Sequence, residues 1–366
     1  MRHLVALLGR DDKPTDGVAD YCSFLGEALA RRGVEFKLAR VCWAEDGWWR
    51  ALRRLRGQSG EWRGKWVLLQ YTALGWSRRG FPFGVVVALS IVRRHGARCS
   101  VVFHEAFCAE GPRLVDHIRN SYQRWVVRWL YHTAEKVIVT TPVETIRWLP
   151  SGDKKTKFVP IGANIPEFVR TEGPSTVGNG TQKTVAVFCL SDPPNQKREL
   201  SDISHALRAV AMEGSKPRVV FLGRGTAEAQ REIERAFERV PVDVTNLGLR
   251  SAAEVARMLA KADAMLCVRG ELFPGRGSAI AGIACGLPIV AYGDTVRSFP
   301  LSEAGVRLVP YGDREALGMA LAQVLNDADL RKRLRARSCD AMANYFSWGV
   351  IAERIDQALE ETRAKK

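Results

Sequence analysis

Nothing in these 366 residues pairs cysteines for a metal or a redox centre. Eight cysteines are present, but no two stand as C-x-x-C, and several fall inside apolar strand or helix patterns, where the thiol acts as a small hydrophobe. Their scatter argues against zinc ribbons and dithiol redox enzymes and fits a reduced, cytoplasmic compartment. Long apolar runs are missing too. The longest, from Phe81 to Val92, is broken by Pro82 and Gly84 and followed by Arg93-Arg94, so no bilayer-spanning segment is expected. The apolar part of Met1 to Arg10 is too short for a signal peptide and reads as a first strand. Acidic residues are scarce in the first half. Residues 1–170 hold 28 Lys+Arg against 16 Asp+Glu, a charge of +12, which leaves +3 of the total +15 for the rest. Such a half suits an anionic partner, among them acidic lipid headgroups, or serves solubility alone. No dedicated nucleic-acid motif is present, and no nucleic-acid partner is expected.

What is present is a long alternation of strand and helix signals. Strands are expected at Leu4–Leu8, Val34–Leu38, Trp66–Tyr71, Ser100–His104 and Lys136–Thr140, with helices from Gly17, Trp48, Val85 and Val115 between them. The pattern lapses across 166–182, which is polar and rich in Gly, Ser, Thr and Asn, the composition of a linker. It then restarts with strands at Val185–Leu190, Arg218–Leu222, Val242–Val244, Ala264–Val268, Ile289–Tyr292 and Val306–Val309. At this length two domains are expected: 1–165, and 183–345, followed by a C-terminal helix at 346–366 that crosses back to the first. Each reads as an α/β, doubly wound parallel sheet, with ligands at the carboxyl ends of its strands.

The stretch from Val268 to Val290 has the chemistry that organises the second half. An apolar strand ends at Val268, a loop with Gly275 and Gly277 follows, and small residues continue as a buried helix to Gly286. Strand, glycine loop and helix aim backbone N–H groups and a helix N-terminus at an anion, with Arg276 and Ser278 beside them. The same pattern also describes a tight turn whose glycines serve packing only. Lys197, on residue type alone, is a solvated lysine at a helix start. Asp327-Ala328-Asp329 reads as helix capping rather than a metal pair.

Several segments together resemble retaining GT-B glycosyltransferases, the group that includes bacterial mannosyl- and glucosyltransferases. They are Asn246 to Ala256, Ala262 to Leu266, Ala284-Cys285-Gly286-Leu287-Pro288-Ile289-Val290, Phe221-Leu222-Gly223-Arg224-Gly225, and Val159 to Asn164. The resemblance implies two Rossmann-like domains facing a cleft and metal-independent transfer, without a cofactor, from a UDP- or GDP-sugar to a glycan or lipid-linked acceptor. It implies that Lys197 reaches the donor diphosphate together with Gly275, Arg276, Gly277 and Ser278, with Arg198 standing beside Lys197. His104 is placed at the reacting centre, with Lys197 as the second catalytic residue. Gly223, Gly225, Gly248 and Leu249 fall to the nucleoside side, and Asp16, Gly17 and Glu105 to the acceptor side. Gln70, Tyr71 and Arg78-Arg79 are further acceptor-side candidates.

One departure stands out. Family members often carry two glutamates separated by seven residues across the donor loop, and those positions hold Phe273 and Ala281 here. Glu271 is the substitute for a donor-sugar contact. Two rival readings follow from the departure and from the basic first half: a GT-B nucleotide-sugar epimerase, or a catalytically silent nucleotide- or anionic-polymer-binding module. Arg124, Trp125, Arg128 and Trp129 fall on nearby faces of one helix, a pattern suited to peripheral contact with anionic membrane on its cytoplasmic side.

Overall fold

A computed structural model describes residues 2–11, 16–106, 108, 111, 113–150, 152–166, 182–212 and 216–361. The chain folds as two compact units, one of residues 1–161 with 348–366 and one of 162–347. The boundaries therefore fall at 161/162 and 347/348, not at 165/166 and 345/346. At the second boundary, a π-helical turn at Met342–Phe346 continues the preceding helix and buries Phe346, which carries the unit on to Ser347. Most of the expected linker, residues 167–181, lies outside the described residues.

The first unit contains β1 (Arg2–Leu8), α1 (Gly17–Arg31), β2 (Val34–Arg40), α2 (Trp43–Asp46), α3 (Trp48–Ser59), β3 (Trp66–Tyr71), α4 (Phe83–Arg94), β4 (Arg98–Phe103), α5 (Leu114–Thr133), β5 (Lys136–Val139) and β6 (Thr156–Phe158). Among the described residues its sheet has six strands, all parallel, in the order β2-β1-β3-β4-β5-β6. Both faces are covered, as parallel sheets require. Successive side chains of β1 divide accordingly: Leu4, Ala6 and Leu8 pack with α1, while Val5 and Leu7 join the core on the opposite face.

The second unit contains β7 (Thr184–Phe188), α6 (Asn195–Met212), β8 (Arg218–Leu222), α7 (Gln230–Phe237), β9 (Asp243–Asn246), α8 (Ala252–Lys261), β10 (Ala264–Cys267), α9 (Gly277–Ala284), β11 (Ile289–Tyr292), β12 (Val306–Val309), α10 (Arg314–Asn326) and α11 (Ala328–Ala341). Its sheet is also parallel, in the order β9-β8-β7-β10-β11-β12. The core lies under α6 and α10, which approach closely because position 318 is glycine: a Cβ there would meet the Ala209 Cβ at 3.0 Å. Asp327 caps α11, its carboxylate accepting from the Leu330 N–H at 2.8 Å. The last helix, α12 (Trp348–Glu360), belongs to the first unit, where Trp348 stacks on Phe24 at 5.6 Å and meets Tyr21 edge-on at 5.2 Å.

Two local differences from the sequence reading have simple causes. The charged, amphipathic run over 227–240 predicts one helix, but α7 is only Gln230–Phe237, because Thr226 turns back to donate to the Gly223 carbonyl at 2.8 Å and Pro241 restricts the chain after Val240. Strand β6 was not expected at all; three residues at a sheet edge carry too little alternation to register.

Candidate active site

In the second sheet the chain runs from β7 outward through β8 to β9, then returns to the other side of β7 as β10. The connections after β7 and β10 therefore leave in opposite directions, and a crevice opens between their carboxyl ends. Val187, Phe188 and Cys189 line it from β7, Cys267 to Gly270 from β10, and Arg276 and Ser278 from the start of α9. Cys189 sits in the left-handed region at φ 70°, an uncommon position for a side-chain-bearing residue, held by its N–H donating to the Leu222 carbonyl at 2.8 Å.

The crevice is cationic. Arg276 occupies the N-cap position of α9, donates to the Arg269 carbonyl at 2.6 Å, and lies 4.5 Å from the Phe273 ring centroid. Burial, and then the neighbouring Arg269, push its pKa down to about 10, so it remains charged at neutral pH. Arg269 reaches across to the β7 side, its Nε 3.4 Å from the Ser191 hydroxyl. Among the described residues neither arginine is in an ion pair. A moderating charge comes from Glu199, fully buried, which accepts from the Ser191 N–H at 2.9 Å and whose Oε1 lies 3.8 Å from the Arg198 guanidinium. Two adjacent guanidinium groups without a counter-carboxylate leave the donor geometry of the α9 N-terminus facing a site that favours a multivalent anion. Arg269 was not among the residues singled out from the sequence. Its signal was its place directly after a buried strand.

Lys197 is exposed in the first turn of α6, and among the described residues it makes no hydrogen bond or ion pair. Its neighbour differs. Arg198 donates to Asp202 at 3.0 Å and to the Val268 carbonyl at 3.1 Å, and lies over Tyr311, so it fastens α6 to the end of β10. It is a positioning residue in this unit, not a second free cation.

Phe273 covers the Arg276 guanidinium, while Ala281 is buried within α9. A carboxylate at 281 would have to be accommodated in the interior. Glu271 is exposed and 3.4 Å from Arg297. The glycines of the β8 loop meet a local steric demand. Gly225 has φ 80°, and a Cβ there would stand 2.5 Å from the Leu190 carbonyl oxygen; Gly223, at φ 91°, donates to the Gly248 carbonyl at 2.8 Å. Gly248 has φ 64°, and Leu249 after it is exposed.

The first sheet reverses direction between β1 and β3. There the loops close on one another: Arg10 N–H donates to the Gly75 carbonyl at 2.9 Å, and a Cβ on Gly9 would lie 2.1 Å from that oxygen. Asp16 is engaged locally. One carboxylate oxygen caps α1 through Val18 and Ala19 N–H at 3.1 and 2.9 Å, and the other accepts from Arg40 at 3.0 Å. Gly17 begins α1 with open space where a Cβ would stand.

His104 follows β4 directly. Its Nε2 is 2.8 Å from Gln70 Oε1, and Gln70 Nε2 donates to the Leu68 carbonyl at 3.2 Å. That second bond fixes the amide orientation, so the imidazole carries its proton on Nε2 and its lone pair on Nδ1. Tyr21 packs edge-on at 4.8 Å, and burial pushes the histidine pKa down to about 4 against the opposing pull of Asp16. Gln70 and Tyr71 are both 2% exposed, so neither is available as the acceptor contact anticipated from the sequence. Arg78 donates to the Ala44 carbonyl at 3.1 Å, Arg79 is exposed, and Glu105 accepts from the Ala73 N–H at 3.3 Å.

No family model matches the sequence, and no curated protein matches it. Solved structures do. HepE from Anabaena, in complex with UDP and glucose, superposes with a TM-score of 0.69 at 14% identity, covering 99% of this chain and 100% of that one. Sucrose-phosphate synthase from Thermosynechococcus elongatus gives 0.70 at 16% identity, with 100% of both chains covered. An α,α-trehalose-phosphate synthase (UDP-forming) from Burkholderia xenovorans, in complex with glucose-6-phosphate, gives 0.61 at 12%, covering 98% and 100%. The chain has the GT-B fold, two Rossmann-like units in one polypeptide.

Proposed function

We propose that this protein is a glycosyltransferase that moves a sugar from a UDP- or GDP-sugar to a hydroxyl of a glycan or lipid-linked acceptor. Retention of configuration and metal independence belong to the same reading, as does a cytoplasmic location with peripheral membrane contact. The observation that carries it is the Arg269–Arg276 pair beside the α9 N-terminus at the β7/β10 switch point, without a counter-carboxylate. Transfer breaks the bond between the anomeric carbon and the diphosphate oxygen and forms one to the acceptor oxygen. Negative charge grows on the leaving diphosphate as this happens. Fixed cations and N–H groups stabilise it more in the transition state than in the ground state.

Arg276, Lys197 and the Ser278 N–H hold the diphosphate in this account, while the Gly277 N–H donates to the Gly275 carbonyl at 3.0 Å and shapes the turn, and Arg269 adds a fourth element. HepE, a protein of the same fold, was solved in complex with UDP and glucose, which supports a nucleotide-sugar donor. His104, neutral at pH 7 with its lone pair on Nδ1, meets donor-sugar or acceptor hydroxyls without adding positive charge near an anomeric carbon that is itself becoming positive. The donor sugar is held differently from a glutamate-bearing loop, because Phe273 and Ala281 offer no acceptor oxygens.

Incubation with a panel of UDP- and GDP-sugars, with and without glycan and lipid-linked acceptors, tests the reading. Nucleoside diphosphate released only when an acceptor is added is the expected result. Interconversion of the free donor would make the protein an epimerase, and the absence of any nucleotide binding would make it a silent module.

A further inference from the structure

The N-terminal stretch of α5 is unlike that of any well-packed helix. Its buried residues begin only at Gln123 and continue through Val126, Val127, Leu130 and Tyr131. Before them Leu114, Val115 and Ile118 are 77%, 50% and 55% exposed, and Trp125 is 48% exposed. At 100° per residue Leu114, Ile118 and Trp125 fall within a narrow sector of the helix, opposite Gln123 and Leu130. An exposed aliphatic and aromatic row on one side, with a packed row on the other, marks an interaction surface.

The row continues beyond α5. Tyr122 lies 5.9 Å from Trp125 and 5.6 Å from Phe81, ring centroid to ring centroid. Phe83, at the start of α4, is 57% exposed; its neighbour Gly84 lies against Trp48, and Trp49 is 82% exposed at the start of α3. The same elements carry exposed arginines: Arg50 and Arg53 on α3, Arg79 before α4, and Arg124 and Arg128 on α5. Of the acids nearby, Glu45 is exposed and the other two are matched. Asp116 is paired with Arg119, and Asp46 with Arg54.

We infer that this face of the first unit docks on an anionic lipid surface, with Leu114, Ile118 and Trp125 entering the headgroup boundary and Arg124 and Arg128 meeting acidic headgroups. It deepens the membrane contact in the proposed function and rests on that reading only for its purpose, bringing the enzyme to a lipid-linked acceptor. Charge complementarity selects the occupant. A second copy of this chain would bring the same arginines against one another across a two-fold axis. Nucleic acid would match the arginines but leave the aliphatic row without a partner. Lipid takes both: interfacial helices combine apolar insertion with basic flanks, and tryptophan and tyrosine favour the headgroup level. No helix among the described residues is long and apolar enough to cross a membrane, so the contact is peripheral.

The test is cosedimentation of the full-length protein, without donor, on phosphatidylcholine vesicles with and without phosphatidylglycerol. The wild type is expected to bind the phosphatidylglycerol vesicles and to stay in the supernatant with phosphatidylcholine alone. Ile118→Ser with Trp125→Ser, and separately Arg124→Gln with Arg128→Gln, are each expected to weaken partitioning by about tenfold or more. All four side chains are exposed, so both variants should keep the wild-type melting temperature and its shift with UDP. Wild-type protein that ignores phosphatidylglycerol, or variants that bind as the wild type does, would overturn the proposal. So would a dimer that the Ile118/Trp125 variant dissociates without loss of vesicle binding. Loss of the UDP response with vesicle binding intact would fail the glycosyltransferase reading and leave the docking face standing.

Discussion

The two units share an architecture but use the same place in it differently. In the second, the reversal of strand order between β7 and β10 leaves a crevice holding Arg269 and Arg276, two cations without a counter-carboxylate. In the first, the reversal between β1 and β3 is closed by Gly9 against Gly75, and the Asp16 carboxylate beside it is matched within the unit. Asp16 is engaged by Arg40 and by the α1 N-terminus, and His104 by Gln70. A Rossmann-like switch point is thus a place where a ligand can bind, and unmet charge decides which of two such places is prepared for one.

Glycines give the sharpest break of that comparison. Gly225→Ala places a Cβ 2.5 Å from the Leu190 carbonyl oxygen at φ 80°, which should cost about 3 kcal/mol or more of stability and disorder the edge of the crevice. Gly17→Ala meets open space and should change the melting temperature little. Chemical denaturation of the two variants side by side checks this.

Protonation of His104 is the next largest effect. Its pKa is about 4 folded and 6.5 in the unperturbed state, so the unfolded chain takes up the proton first. The histidine therefore costs no stability above about pH 6.5, and stability falls as pH drops from there towards 4. Discounted for the partial exposure of the imidazole, this corresponds to about 2 kcal/mol. Denaturation curves between those two pH values should show a drop of this size that His104→Gln removes.

Asp16→Ala removes a helix cap and the Arg40 partner together, with an expected loss of about 1–2 kcal/mol and no change in affinity for UDP. Lys197→Ala should do the reverse, weakening UDP binding about tenfold while leaving the melting temperature of the free protein unchanged. If Asp16→Ala impaired nucleotide binding as strongly as Lys197→Ala, the contrast between the units would be wrong.

Much of the fold was legible in the sequence because parallel strands covered on both faces read as short apolar runs, and helices between them keep their period. The start of α1 at Gly17 and the capping by Asp327 followed from local chemistry alone. Strand order was not legible, and the missed site residue depended on it. Arg269 stands in the same loop as Arg276, but its role needs β10 to lie beside β7, a pairing between residues almost eighty positions apart. Gln70 and Tyr71 are acceptor-side candidates in the sequence as members of a loop, but both lie within β3. With both faces of that sheet covered, they point into the interior, and Gln70 acts instead through His104. Arg198, expected beside Lys197 at the diphosphate, is instead held by Asp202 and the Val268 carbonyl.

The central claim is that the crevice between β7 and β10 is the nucleoside-diphosphate site. Calorimetric titration of UDP and GDP into the wild type and into Arg269→Ala with Arg276→Ala tests it directly. The account predicts saturable binding of one of them by the wild type, and at least a hundredfold weaker binding by the double variant. It also predicts that the double variant, relieved of two adjacent like charges, melts no more than a few degrees from the wild type. Wild-type protein that binds neither nucleotide, or a double variant that binds as tightly as the wild type, would contradict it.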